Sequence, residues 1–421
     1  MGNIRQYVNF ASGETVPFYI EQDGQYLDQD VDIDFLRFQI DNNIVSSSFR
    51  ILVLYPDETI NYAIPSENIK AGGNYSENYQ NGQRRSLSFT LYNNDGAYSP
   101  NINTLWAGTR LRLEMGVHLF SGATIWFYKG VYVIDKVTPS LTTSGKEVQV
   151  SAKDKFSLFE DATGRIEETT EIPVGSDIES VIKDCLLTSM GSGNPLDVIP
   201  IIYHSSFKDK KTQATISKSA GDTIGSLLLE LATQLSAEIF YNAMGNLVVV
   251  PIANVTSDAD KPLLYEYSTK EGTISQLDFS FDYNSIVNRI IVTGSSASGG
   301  ISKAVAINDD PGSPLCYQRI GYRTGNIIND SNITSDFLAQ ERADYELRQQ
   351  LIIKSSTSAS VLYNPLLEVN NLIAVSDDFF NLVHERFLIQ NVSCSLDYTG
   401  QMNINFTNLV NLPFVTNIKE V

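Results

Sequence analysis

Arg85-Ser86-Leu87-Ser88-Phe89-Thr90-Leu91 alternates polar and apolar side chains without a break and leads into Asn93-Asn94-Asp95-Gly96-Ala97-Tyr98-Ser99-Pro100. The period of two sets Leu87, Phe89 and Leu91 on one face, the pattern of a half-buried β-strand. The Asn-Asn-Asp-Gly run tolerates positive φ and predicts a tight turn, which Tyr98-Ser99-Pro100 extends into a loop. Beyond it, Arg110 to Met115 repeats the alternation with Leu111, Leu113 and Met115. Further strands are expected at residues 35–40, 51–54, 125–129, 131–137 and 147–152. So many strands within about 120 residues, with little helical periodicity, indicate a barrel or sandwich.

The texture changes near Gly164. Ser176 with Glu179 forms a capping box, and Ile178, Val181, Ile182, Cys185 and Leu186 follow at helical spacing, predicting an amphipathic helix. A second helix starts near Asp222 and carries Ile224, Leu227, Leu228, Leu231 and Leu235 on one stripe. It leads to a hairpin over 238–251 built around Ala243-Met244-Gly245-Asn246. Strands return at 277–283, 286–293, 361–363, 372–375, 386–396 and 401–407. A helix capped by Ser335 runs among them through Ala339, Ala343, Leu347 and Leu351. Residues 294–302 and 308–313, rich in Gly, Ser, Asn and Asp, are expected to be loops. The fold class is mainly β with an α+β insert, as two barrel-like domains flanking or enclosing a small α+β domain. The expected boundaries are an N-terminal arm at 1–27, a first barrel at 28–165, the α+β domain at 166–262 and a second barrel-like domain at 263–421.

A chain of 421 residues exceeds what one core usually serves, in keeping with several domains. Cys185, Cys316 and Cys394 are odd in number and far apart, with no CxxC pair, so buried free thiols are expected rather than disulfides or a zinc site. No apolar run approaches the roughly 20 residues of a membrane span, and MGNIRQYVNF lacks an apolar signal core. Gln6 stands where a myristoylation start after Met1-Gly2 needs Ser or Thr. A soluble protein made in the cytoplasm is expected. The net charge of −19 removes the electrostatic footprint of groove or backbone nucleic-acid binding and leaves solubility, or a surface that does not hold a passing polyanion.

Chemistry is sparse along the chain. His118, His204 and His384 are isolated, and Glu114, four residues before His118, lies in a run that alternates as a strand. No GxSxG, P-loop or GxGxxG pattern occurs. Asp28, Asp30, Asp32 and Asp34 make a partial match to a calcium loop from Asp30, but Phe35 occupies the position that needs Gly. Their period of two places four carboxylates on one face of an extended segment: a solvated face, an acidic wall or interface, or a cation site. Glu167, Glu168 and Glu171 lack a spacing that would fix two carboxylates across a cleft. No catalytic residue, cofactor or metal is expected.

The ordered series resembles the tail hub family, the baseplate-hub and tail-tip proteins of tailed bacteriophages and contractile injection particles. The resemblance begins with Arg85 to Leu91, the Asn94 to Pro100 loop and the strand from Gly108 to Gly116. It continues through Tyr128-Lys129-Gly130-Val131-Tyr132-Val133-Ile134-Asp135 and Val148 to Asp154, similar to the close of the family's first barrel. Leu227 to Gln234, Gly245-Asn246 and Ile286 to Gly294 are similar to the helix, hairpin and strand of the later domains, and Ala339 to Gln350 to the helix before the last strands. It covers residues 35 to 410. One departure is Asn370-Asn371, where relatives often carry a Gly-Asp turn.

The resemblance implies two tube domains per subunit and a homotrimer forming a pseudo-hexameric ring around a DNA channel. Its partners would be copies of itself, the tail tube or distal tail protein, and a spike or tip protein, within the virion tail. Such a ring joins edge strands between subunits and so removes exposed edges. A negatively charged channel is expected from the net charge, with the Asp28 to Asp34 face near the lumen or an interface. A carbohydrate-binding, adhesin-like protein is the alternative, since β-rich chains with abundant Tyr and Asn also bind glycans. A tail-associated hydrolase is the third reading, weakened because the chain ends at Val421 directly after the hub-like strands.

Overall fold

The alternating stretch around Leu87 is the strand Arg85–Tyr92, whose odd positions are buried and whose even positions open outward. It sits between Gly145–Asp154, with Phe89 opposite Val150, and Ile69–Asn78, with Leu87 opposite Tyr75. The computed structural model describes residues 5–8, 15–22, 25–27, 40–42, 44–100, 104–143, 145–191, 195–197, 201–235, 237–251, 263–281, 286–295, 301–313, 315–330, 333, 335–352, 355–397 and 401–408. By its contacts the chain forms two compact units: 1–252 with 360–371 and 390–404, and 253–359 with 372–389 and 405–421. The fold is mainly β, as the alternation predicts.

In the first unit one antiparallel sheet runs, neighbour to neighbour, Ile60–Ala63, Ile44–Leu54, Arg110–Leu119, Thr124–Thr142, Gly145–Asp154, Arg85–Tyr92 and Ile69–Asn78. Residues 391–396 then pair with Ile69–Asn78. Thr15–Gln22 adds to Thr124–Thr142, with Phe18 opposite Phe127. The two strands expected at 125–129 and 131–137 are a single strand, because Gly130 takes φ +123 where the pairing slips between Arg112 and Glu114. A positive φ of this kind suits glycine, so the bulge bends the strand without ending it. Ile40 is helical with 41–42 rather than part of a strand, and 35–39 lie outside the described residues.

The α+β part of this unit follows its sequence pattern closely. The helix Ile178–Thr188 buries Ile178, Val181, Ile182, Cys185 and Leu186. Its cap is Asp177 rather than Ser176. The Asp177 carboxylate accepts from Ser180 N at 2.9 Å, while the Ser176 hydroxyl donates to Pro173 O. The second helix, Ile224–Leu235, starts with Thr223 Oγ1 accepting from Ser226 N and packs Leu227, Leu228 and Leu231 against Phe156, Phe159 and Tyr241. The hairpin of Ala237–Tyr241 and Leu247–Pro251 covers the other side of this core, with Ile202–Tyr203 added in parallel.

The second unit holds Arg289–Ser295 between Ile301–Ile307, antiparallel, and Ile328–Asn329, parallel. The helix Asp336–Ile352 lays Ala339, Ala343, Leu347 and Leu351 on Ile290 and Val292. Gly294 and Ser302, read as loop residues, are strand residues, and 296–300 lie outside the described residues. A Cβ on Gly294 would come within 2.2 Å of Ile333 O, so its composition signals close backbone approach rather than a turn. Elsewhere in this unit Tyr265–Ser268 runs parallel to Leu372–Asp377, which turns back into residues 382–388. Phe279, Phe380, Phe387 and Phe406 pack ring to ring beside them.

Candidate functional site

The apolar phase of the alternating strands in the first unit is not wholly apolar. Arg85 shares the face of Leu87 and Phe89, Glu77 that of Tyr75, and Asp154 that of Val150 and Ala152, and all three are about 1 % exposed. Lys129, on the face of Phe127, and Lys155, directly after the Gly145–Asp154 strand, are completely buried. Burying a charge is unfavourable unless it is paired and hydrogen-bonded, so the partners decide whether the fold can hold these groups.

Lys155 Nζ is surrounded by Glu58 Oε1 at 2.6 Å, Asp197 Oδ2 at 2.7 Å and Gly245 O at 2.8 Å, which uses the three protons of the ammonium. Glu58 also accepts from Arg110 Nη1 at 2.9 Å, and Asp197 from the Tyr241 hydroxyl at 2.8 Å. Arg85 donates to Glu77 and to Tyr241 O and lies 4.0 Å from Glu368, which in turn faces Lys129 at 3.8 Å. Arg84 pairs with Glu238 at 2.6 Å and stacks over the Phe240 ring at 3.4 Å. The sheet contributes Arg84, Arg85, Lys129 and Lys155, and the α+β hairpin answers with Glu238, Tyr241 and Gly245. One network therefore ties the two layers of the unit together.

Burial sets the protonation behaviour here. Asp154 is pushed up to about 6 by desolvation, against the pull of the Arg85, Arg84 and Phe156 N–H groups that donate to it. Desolvation also raises Glu368, opposed by Lys129, and lowers Lys129, opposed by Glu368. Tyr75, Tyr132 and Tyr241 are held well above the usual phenol range by burial. At the other edge, Glu114 is raised by burial while bonded to Arg50 and the Tyr19 hydroxyl, and the Arg50 guanidinium lies 4.2 Å over the Trp126 ring. The arrangement fixes protons and positions; its chemistry is that of a clamp.

Of the residues singled out in the sequence, Asp28, Asp30, Asp32 and Asp34 lie outside the described residues. His118 bonds Thr124 Oγ1 through Nδ1, His204 accepts from Ser206 N, and His384 meets Glu266 at 2.6 Å, so the three engage separate neighbours. Glu167, Glu168 and Glu171 are exposed. Cys185, Cys316 and Cys394 are buried free thiols. Among the described residues no group of three or more His, Cys, Asp or Glu side chains is placed to hold a metal ion, and no helix is long and apolar enough to cross a membrane. At the Asn370-Asn371 departure, Asn370 takes φ 65 and Asn371 Oδ1 accepts from Glu368 N at 3.0 Å. Asn thus supplies the left-handed conformation that glycine would, and a side-chain acceptor follows it.

No protein-family model matches this chain, and no curated protein matches its sequence. Solved structures do. The tail protein from Neisseria meningitidis MC58 aligns with a TM-score of 0.61 at 12% identity, over 86% of this chain and 97% of that one. The prophage MuSo2 43 kDa tail protein from Shewanella oneidensis aligns at 0.59 and 18% identity, over 86% and 98%. A chain of the Francisella PdpA-VgrG complex aligns at 0.53 and 10% identity, over 92% of this chain and 57% of that one. The chain has the fold of phage tail proteins, as the resemblance implied.

Proposed function

We propose that this chain is a structural subunit of a bacteriophage-type tail, located at its tip or baseplate. The observation that carries the reading is the extent of the shared fold: 86% of this chain superposes on nearly the whole of two tail proteins, one of them from a prophage. The buried clamp supports it, since a subunit that transmits load gains from layers locked by charge as well as by apolar packing. In the finer form of the proposal, residues 28–165 and 263–421 supply two tube domains per copy. Three copies then present them as a pseudo-hexameric ring between tail tube and tip, around the path of DNA. The ring would adjoin the tail tube or distal tail protein on one side and a spike or tip protein on the other. In this reading the chain carries out no catalysis and needs no cofactor.

The test is electron microscopy with mass measurement on the purified full chain. Rings of three copies with a central hole are the expected result. A monomer that binds host polysaccharide tightly would favour the adhesin-like reading, and hydrolysis of a glycan or peptide, lost on substitution of one Asp, Glu or His, would establish an enzyme.

A further inference from the structure

Lys155 differs in chemistry from the other buried cations of the first unit. Arg84 and Arg85 carry guanidinium groups, which hold their protons and make poor nucleophiles. Lys129 donates to Leu367 O at 3.0 Å and stands 3.8 Å from its carboxylate, Glu368. Lys155 Nζ lies 2.7 Å from Asp197 Oδ2 and 2.6 Å from Glu58 Oε1, and the side chains of Lys155 and Asp197 are both completely buried. A lysine amine becomes a nucleophile when it hands on its proton, and here two carboxylates stand at hydrogen-bond distance to receive one.

The neighbours distinguish the two carboxylates. Asp197 meets a donor at each oxygen: the Tyr241 hydroxyl gives to Oδ2 at 2.8 Å, and Arg110 Nη1 stands 3.7 Å from Oδ1. Donors so placed draw electron density from Cγ and hold the charge that develops when it is attacked. Glu58 shares Oε1 between Lys155 and Arg110 Nη1, so it is placed to take a proton from the amine. It is held there by the turn closed by Tyr55 N on Thr59 O, in which Glu58 takes φ 64, a conformation unfavourable for a residue with a Cβ.

We infer that Lys155 and Asp197 condense to an amide, with Glu58 as the proton relay. One proton first passes from the ammonium to the Asp197 carboxylate, leaving an amine and a carboxylic acid. The Nζ lone pair then adds to Cγ, and Oδ1 takes up the displaced electron pair facing Arg110. Glu58 takes a proton from nitrogen and returns it to the Oδ2 hydroxyl, which departs as water while the pair on Oδ1 restores the carbonyl. One Nζ–Cγ bond forms, one Cγ–Oδ2 bond breaks, nothing is oxidised or reduced, and no co-reactant is needed.

Burial favours the product. Lys155, Arg110, Glu58 and Asp197 converge as charges, and condensation removes one of each sign while leaving Arg110 paired with Glu58 at 2.9 Å. The fixed contact replaces a high reactant concentration, and exclusion of water removes the reagent of the reverse reaction. The amide N–H that remains can still donate to Gly245 O. Asp197 follows Leu196, whose N–H bonds Leu186 O at 2.8 Å at the end of the helix Ile178–Thr188, so the bond joins the sheet covalently to the α+β part. The inference is independent of the tail reading.

The experiment is mass spectrometry of the purified full chain, folded and then denatured. Its mass should fall one water below the value of its sequence in most molecules, and fragmentation of a protease digest should join the peptides that carry Lys155 and Asp197. Lys155→Arg and Asp197→Ala should each return the mass to its sequence value. Glu58→Gln should leave most molecules unlinked while tryptophan fluorescence reports a folded first unit. A parent chain at its full sequence mass would overturn the inference, whatever the variants do. So would a loss of water that maps to a succinimide at Asp95-Gly96 rather than to Lys155. Linkage in Glu58→Gln as complete as in the parent would overturn the relay.

Discussion

Glu77 and Arg85 point inward from adjacent strands and are almost fully buried, while their chain neighbours Ser76 and Ser86 point outward and carry no charge. At these positions the two faces of the sheet reverse the ordinary assignment, in which charge faces water and neutral groups face the core. Inside, full charges are locked in one geometry by partners on several strands and on the α+β hairpin. Outside, short polar side chains face solvent, and Ser76 and Ser86 bond each other at 2.7 Å. A strand can meet both demands because alternation separates them completely: one residue along the chain changes face.

Breaking the inner face should have the largest effect. Arg85→Met leaves Glu77 and Glu368 without that cation and Tyr241 O without its donor, and should destabilise the unit by about 3–5 kcal/mol. Both tryptophans, Trp106 and Trp126, belong to the first unit, so their fluorescence follows its unfolding in denaturant. A loss below about 1 kcal/mol would mean that the buried charges are not held as a network, and the contrast between the faces would lose its energetic content.

The same interior predicts a pH dependence. Burial raises Asp154 from its ordinary 3.8 to about 6, so folding favours the protonated carboxyl. The stability that this group contributes is complete below 3.8 and is lost as pH rises through about 6. The span is on the order of 3 kcal/mol. Glu114 and Glu368, also raised by burial, act in the same direction. Asp154→Asn should flatten the change in unfolding midpoint between about pH 4 and pH 7. An unaltered slope would locate the titration elsewhere.

Where the hairpin meets the sheet, backbone shape replaces charge. Gly245 has φ +83, its carbonyl receives Lys155, and an added Cβ would lie 2.9 Å from Val131 Cγ2. Gly96, with φ +79, would bring its Cβ no nearer than 3.8 Å to Ser99 Oγ. Gly245→Ala should therefore cost about 2 kcal/mol or more, and Gly96→Ala about 1 kcal/mol, the conformational part alone. Equal losses at the two sites would mean that the hairpin yields at the contact with Val131.

Much of this was readable from local pattern. The alternation at Leu87, Phe89 and Leu91 and the helical stripe from Ile178 to Leu186 became buried faces as spaced. The clamp was also signalled, by Arg85 and Glu77 standing in the apolar phase of their strands, but a polar residue in a strand reads as solvent-facing until its phase is checked. What the signal lacks is the partner: Glu368 and Tyr241 approach Arg85 only through long-range pairing, which no local period encodes. Glu114 was hidden for another reason. It lies in the polar phase of Arg110–Leu119, and that strand is covered on both faces at its centre. The assignment of 390–404 to the first unit likewise depends on the pairing with Ile69–Asn78, and two strands with the same alternation are interchangeable until register is known.

The smallest expected effect sharpens the comparison most, because it asks whether the outer face contributes anything to folding. Ser76 and Ser86 share one hydrogen bond at 2.7 Å, both are half-exposed, and water can replace each partner. An exposed hydroxyl pair of this kind contributes a few tenths of a kcal/mol, since its bonds to water are nearly as good. The double substitution Ser76→Ala with Ser86→Ala should therefore move the unfolding midpoint by less than about 0.5 kcal/mol equivalent, and each single substitution by no more. The inner-face neighbours, one residue away on the same strands, should differ from this by several-fold. If the double alanine variant instead lost 2 kcal/mol or more, the outer hydroxyls would be part of the fold's own support.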